Sequence, residues 1–188
     1  MGKWDERSFC DKIGGNETRR IRHRNVARRA MTSCTPFDLP YELHTNRELE
    51  FMLTRGKPLA HFSDAYPPEP DEEIIPQKAF GPYVADGTFE MRAFVELVKE
   101  SPQPRAPQMR GSLHVFYARS SESWRIDAFI AMMAVAAQAG WSEGFERLEG
   151  RLLGYSDSQT DAHIEHLLQS PHARDFPWLR RLRAERQK

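Results

Sequence analysis

The stretch from Trp124 to Ala139 constrains the fold of this chain more than any other segment. Within its apolar part Asp127 is the only charged residue, and most of the others are good helix formers. Ser121 or Ser123 can cap the start of a helix here, and Gly140 can end it. The apolar part covers about 12 residues, whereas a membrane span needs roughly 20. We therefore expect a buried helix at the centre of a folded core.

The composition indicates a folded protein of modest size. A chain of 188 residues is long enough for one domain with a substantial core. Hydrophobic residues make up 39% of it, which excludes wholesale disorder, while 13 prolines indicate long irregular connections. Cys10 and Cys34 match no disulfide framework and no zinc spacing, and the N-terminal residues contain no signal-like apolar run. We predict a cytoplasmic protein that makes no membrane contact, and the sequence leaves its oligomeric state open.

The formal net charge of zero hides an uneven distribution. Residues 1–35 carry nine Lys or Arg against four Asp or Glu, and residues 174–188 carry six against two. Residues 36–173 therefore hold 12 of the 27 basic and 21 of the 27 acidic residues, a balance of −9. We predict a flexible basic arm at residues 1–35, followed by a single domain at residues 36–188.

The arm is rich in arginine and has no acidic residue between Thr18 and Phe37. Such an arm can contact the phosphates of a nucleic acid, or it can be a solvated tail that pairs with the acidic body. No aromatic residues are interleaved for base stacking, and no helix-turn-helix or zinc pattern follows. The candidate nucleic-acid-binding residues are Arg19, Arg20, Arg22, Arg24, Arg28 and Arg29.

The first part of the predicted domain mixes short helices with strands. Residues 45–53 have the form of a capping box followed by a short helix, and residues 76–84 predict a second helix. A short strand is predicted at residues 59–62. Residues 88–98 fit both a strand and a helix, and we favour the strand. Residues 111–118 form the clearest strand, which we expect at the centre of a small sheet.

Three more helices are predicted after the central one. They begin near Ser142, Ser156 and Pro177, and the first of them ends at Gly154. Mixed elements followed by consecutive helices indicate an α+β fold. In this fold a small antiparallel sheet of about three strands packs against a helical C-terminal half.

An acidic, proline-rich segment at residues 66–73 is predicted to be an extended surface loop, because its prolines remove backbone donors. Exposed irregular segments are where partner contacts tend to lie. The candidate partner-binding residues are Glu69, Asp71, Glu72 and Glu73.

No standard catalytic motif is present, so the candidate catalytic residues are polar residues in apolar settings. Strand pairing can bring His61 and His114 together, and Asp127 can orient a histidine for acid–base chemistry. Asp127 has a simpler interpretation as part of an exposed helical stripe of small and polar residues. The alternative is a buried carboxylate paired with Arg125 or with a strand histidine.

His163 and His166 share one helical face, but two histidines without a third ligand at a known offset are usually solvated. We predict no metal site and no cofactor. The preferred interpretation is a binding or regulatory protein that contacts other proteins through the acidic loop and the basic arm. The alternatives are a small enzyme with a site between the sheet and the central helix, and a nucleic-acid binder that uses its arm.

Overall fold

A computed structural model of the chain describes residues 42, 44–68, 74–97, 110–170, 173 and 175–187. The predicted arm at residues 1–35 and its arginines lie outside the described residues. The same holds for Glu69 and for Asp71, Glu72 and Glu73, so the binding roles given to both segments remain predictions. Across the described ranges, no helix is both long enough and apolar enough to cross a membrane.

The described part of the chain contains six α-helices, three strands and one short 3₁₀ turn. In chain order these are α1 (Glu48–Thr54), β1 (Leu59–Tyr66), α2 (Gln77–Ala85), β2 (Phe89–Leu97), β3 (Gly111–Arg119), the 3₁₀ turn (Ser120–Glu122), α3 (Trp124–Ala139), α4 (Glu143–Leu153), α5 (Asp157–Gln169) and α6 (Pro177–Arg186).

The three strands form one antiparallel sheet with the order β1-β3-β2. Leu59 lies opposite Ala118 in the first pairing, and Phe89 lies opposite Arg119 in the second. The central position of β3 and the strand at β2 are therefore confirmed. β1 is longer than predicted, because its pairing with β3 continues to Tyr66.

The helices α3 to α6 pack on one face of this sheet. Phe116 of β3 is fully buried there, together with Ile126 and Phe129 of α3. The sequence predicted that α3 is buried, but only one of its sides is, since Trp124 and Val135 are 56% and 54% exposed. A helix in an outer layer has only one side against the core. The other side of α3 carries mainly alanines, whose small apolar surface can remain in contact with solvent at little cost.

The short helices α1 and α2 cover the other face of the sheet. Met52 of α1 and Phe80 of α2 join Phe89, Val115 and Tyr117 of the sheet in a second buried cluster. The sheet is therefore the middle of three layers, and the α+β class with a helical C-terminal half is confirmed.

Some of the predicted helix starts are formed as expected. The side chain of Ser142 accepts a hydrogen bond from the amide of Phe145, and Ser156 with Gln159 forms a full capping box. The N-cap of α3 is Ser123, but its side chain makes no capping hydrogen bond, so that part of the prediction is wrong.

The capping box predicted for α1 is also wrong. This helix begins after Arg47, whose side chain makes no capping hydrogen bond. Asn46, which has a φ of 64°, instead donates its backbone N–H to the Glu48 carboxylate at 3.1 Å. A left-handed residue immediately before a helix turns the chain sharply, and asparagine tolerates that conformation.

Gly150 in α4 lowers helix propensity, and the packing explains why it is there. A Cβ atom at this position would lie 2.6 Å from the hydroxyl oxygen of Thr160 in α5. The absent side chain therefore allows α4 and α5 to approach closely.

Candidate functional site

The structure brings His61 and His114 together, as the sequence predicted. Nε2 of His61 lies 3.0 Å from Nδ1 of His114, within hydrogen-bond distance. The register of β1 and β3 places Ser63 opposite His114, so that His61 is its diagonal neighbour on the same face. Both histidines are only 1% exposed.

Aromatic rings enclose this histidine pair. His61 stacks on Phe116 with ring centres 4.4 Å apart, and Phe94 stacks on His114 at 4.9 Å. The Glu96 carboxylate lies 3.6 Å from Nε2 of His114, and its charge favours a hydrogen on that nitrogen. In that tautomer His61 donates to Nδ1 of His114. Nδ1 of His61 has no hydrogen-bond partner among the described residues.

Burial keeps both rings neutral at neutral pH. It lowers the pKa of His61 well below its ordinary value, and the neighbouring His114 adds to this effect. Burial also lowers the pKa of His114 to about 4, although Glu96 is close enough to favour its charged form. A neutral pair can pass a proton between its rings, but a molecule in solvent does not reach ring nitrogens that are buried this deeply. Acid–base chemistry at this pair remains a prediction.

Asp127 does not join the histidines. Its side chain is 71% exposed and pairs with Arg92 of β2, not with Arg125 or with a strand histidine. Arg125 instead donates to the backbone carbonyl of Arg151 in α4. The interpretation of Asp127 as part of an exposed helical stripe is therefore confirmed, and the alternative in which it meets a strand histidine is wrong, because Asp127 lies on the solvent side of α3.

A third buried histidine, His163, was not identified from the sequence. Nε2 of His163 in α5 lies 3.2 Å from the Glu146 carboxylate of α4, which also accepts from the indole N–H of Trp141 at 2.7 Å. The expectation that His163 is solvated is therefore wrong. The signal was present, since His163 and Ile164 follow the inward spacing of α5. Within the ranges that the structure describes, no three His, Cys, Asp or Glu side chains are placed to hold a metal ion.

A cleft of about 220 Å³ lies beside α1. Lys57 on its wall is only 3% exposed, and its ammonium group lies 3.1 Å from Nδ1 of His44 and 3.3 Å from the carbonyl of Leu153. The ring of His44 also stacks on Tyr155. The residues lining the cleft are Glu42, His44, Phe51, Arg55, Gly56, Lys57, Gly154 and Gln159.

The polar groups of this cleft bond to neighbouring protein groups. Burial lowers the pKa of His44 to about 3, and the charges of Lys57 and Arg55 contribute. The neutral ring therefore accepts a hydrogen bond from Lys57. Glu42 forms ion pairs with Arg47 and Arg55. These pairings hold the elements of the cleft together and leave no reason to assign a ligand to it.

Among the described residues, the strand β2 has a free backbone edge on the side away from β3. Within the described part of the chain, β3 is its only hydrogen-bonded neighbour. The carbonyl of Thr88 accepts a hydrogen bond from the backbone amide of Ser120 at the end of the β2–β3 ladder. Backbone groups alternate in direction along a strand, so the even-numbered residues of β2 direct their N–H and C=O groups towards β3. The odd-numbered residues therefore direct theirs away from it. We call this side the open edge, formed by the backbone of Phe89, Met91, Ala93, Val95 and Leu97.

The side chains of the open-edge residues are apolar, and most are not covered. Phe89 is buried against Phe80 and Tyr83 of α2. Further along the strand, Met91 and Leu97 are 45% and 64% exposed. The sequence pattern predicted a strand here, but it did not show which edge of the sheet is free.

No protein-family model matches this chain, and no curated protein or solved structure is significantly similar to it. The function is therefore argued from the geometry of the described residues alone.

Proposed function

We propose that this protein is a binding protein that attaches another polypeptide to the open edge of β2, without catalysing a reaction. The observation that supports it most is the free edge of this nine-residue strand, with exposed Ala93 at its middle. An extended chain can add to such an edge through backbone hydrogen bonds, while pockets for alternate side chains provide specificity.

The chemistry of the open edge supports this role. Folded proteins normally protect an edge strand with lysine, proline, a bulge or inward-pointing charges, because a bare edge attracts other strands. The open-edge residues from Met91 to Leu97 carry no lysine, proline or charge on the face towards α1 and α2, whereas the charged residues of β2, Glu90, Arg92 and Glu96, lie on the face towards α3. Uncovered apolar side chains beside unpaired backbone groups are typical of a surface that binds protein.

The surfaces predicted from the sequence can extend the same role. The acidic residues Glu69 and Asp71–Glu73 follow β1, and the arginine-rich arm precedes the domain. We propose both as further protein contacts of a cytoplasmic regulatory protein. Nucleic-acid binding by the arm remains a prediction, since the arm lies outside the described residues.

A proline at the edge tests the proposal directly. The amide of Ala93 points away from β3, so Ala93→Pro removes a donor from the open edge and leaves the β2–β3 ladder intact. A photo-crosslinking amino acid at Leu97 in the full chain then reports what lies beside the edge in the cells that make the protein. We expect Ala93→Pro to lower the yield of protein adducts about tenfold.

The matched control is Ala93→Thr, which keeps the backbone N–H and favours a strand. Its adduct yield should equal that of the parent chain. Equal yields from the proline and threonine variants, or no adduct in either, would contradict binding at this edge. Circular dichroism confirms that both variants are folded.

A further inference from the structure

We propose that the chain bound at the open edge is a second copy of this protein, related to the first by a twofold axis that passes through Phe94. This inference rests on the proposed function and names its partner. In the dimer the two β2 strands pair antiparallel, and the two three-stranded sheets become one six-stranded sheet. A symmetric contact of this kind must be self-complementary, and β2 meets that requirement in three ways.

The first is backbone pairing. With the axis at Phe94, residue 93 of one copy lies opposite residue 95 of the other, and residue 91 lies opposite residue 97. These are the odd-numbered residues whose N–H and C=O groups point outward. Each pair can therefore exchange two hydrogen bonds, as antiparallel strands require.

The second is the side chains on either face. Towards α1 and α2, Met91 meets Leu97 of the second copy, and this apolar contact occurs twice. Both side chains are among the exposed large hydrophobic residues of the protein. Towards α3, the two Phe94 rings face each other, and each is only partly buried in its own copy. The contact covers apolar surface on both faces of the sheet.

The third is charge. On the face towards α3, Arg92 of each copy lies directly opposite Glu96 of the other. Both side chains are partly exposed, at 39% and 37%, and each already has a partner in its own copy: Arg92 hydrogen-bonds Glu90 and Asp127, and Glu96 lies 3.6 Å from His114. A pair across the contact therefore shares or replaces these contacts. Opposite charges at directly paired positions favour this register.

Neighbouring registers lack this match. An axis through Ala93 places Glu90 against Glu96 of the second copy, and an axis through Arg92 places two arginines against each other. Like charges directly opposite are destabilising in a sheet.

One other register also pairs opposite charges. An axis through Met91 brings Arg92 against Glu90 of the second copy, but it leaves only residues 89–93 in the ladder. That register does not place Glu96 in the contact, so substitutions at Glu96 distinguish it from the axis at Phe94.

Charge reversal tests the register. In the full chain, Arg92→Glu places two acidic pairs across the contact, and Glu96→Arg places two basic pairs. We expect each single variant to weaken self-association about tenfold or more, measured by sedimentation equilibrium. A mixture of the two variants should form a one-to-one heterodimer as tightly as the parent chain, because each paired position then joins opposite charges. The double variant Arg92→Glu/Glu96→Arg should also regain the parent affinity.

Each outcome decides the inference. Recovery on mixing supports it and shows that both single variants are folded. Single variants that self-associate as tightly as the parent chain overturn the register, and so does a mixture that fails to recover. A parent chain that stays monomeric, while Leu97 still crosslinks to a different protein, overturns the second copy as partner and leaves the proposed function standing. A monomeric chain with no adduct of any kind overturns both.

Discussion

The two edge strands of this sheet have similar lengths and opposite surroundings. β1 is buried over most of its first half, where Leu59, Ala60, His61 and Ser63 are all buried, and α1 and α4 lie against it. β2 is buried only at Phe89. Both strands pair with β3 alone among the described residues. The difference comes from the helices of the described part of the chain, since α1 and α4 both lie against β1, whereas α2 lies against β2 near Phe89.

This contrast separates stability from binding. We call the buried side of the sheet at β1 the covered edge. There the core includes the neutral histidine pair, so a substitution that changes volume or charge should change the stability of the fold. At the open edge the same kind of strand presents backbone groups and apolar side chains to solvent, where a change acts on association. Three predictions test that division.

The largest expected effect on stability comes from replacing a buried leucine with alanine, compared with the same replacement at an exposed leucine. Leu59→Ala at the covered edge removes a fully buried side chain and should lower the free energy of unfolding by about 2–5 kcal/mol. Leu97→Ala at the open edge should change it by less than about 0.5 kcal/mol, because most of that side chain is exposed. Urea denaturation in the Ala93→Pro background measures folding without a contribution from self-association. Equal losses at both positions would contradict the contrast between the edges.

The next effect is a dependence on pH at the covered edge. The pKa values of His61 and His114 lie below 6.5 in the folded protein, so the unfolded chain binds more protons as the pH falls through that value. Stability is therefore fully present above about pH 6.5 and is lost towards lower pH. The pKa of His114 in the folded protein is about 4. When the pH has fallen to that value, His114 alone should have lowered the free energy of unfolding by about 3 kcal/mol.

Urea denaturation between about pH 7 and about pH 4 measures this loss. His114→Gln is the control, because glutamine does not titrate and other groups keep their own contributions. The slope of stability against pH should be shallower in the variant. A slope identical to that of the parent chain would show that His114 does not stay neutral in the folded protein.

The smallest expected effect is at Asp127, beside the open edge. Its ion pair with Arg92 is exposed, and exposed pairs contribute little. Asp127→Asn should therefore change the free energy of unfolding by about a tenth of the Leu59→Ala effect or less. The comparison variant is His61→Asn, which disturbs a buried hydrogen bond and should cost more. A loss at Asp127 as large as that at His61 would indicate a structural role that the geometry does not show.

The local patterns of the sequence were sufficient for much of the fold. Alternating apolar residues favoured the strand at β2, apolar residues on both faces predicted β3, and capping residues placed the starts of α4 and α5. The sequence also indicated that His61 and His114 could be neighbours. Two histidines on paired strands of a small sheet can be only a short distance apart. These features depend on the chain within a few residues, or on one pairing of strands.

Other features of the candidate site could not be read in the same way. For Asp127 the sequence left two positions open, an exposed stripe of α3 and a site beside the histidines, and the rotation of α3 about its axis decided for the first, with Arg92 as the partner. His163 was expected in solvent, but the packing of α5 on α4 buried it beside Glu146. Each outcome depends on the angle at which two distant elements meet, which no short window of sequence contains.

The sequence by itself determined the class of this protein, the strand at β2 and the charges that β2 carries, because these follow from side-chain chemistry and local periodicity. Only the tertiary structure decided which edge of the sheet is left without a hydrogen-bonded neighbour among the described residues. The alternating charges of β2 indicate a strand with one apolar face, but the position of a strand within its sheet depends on which strands pair and where the helices pack. That arrangement is a property of the whole fold.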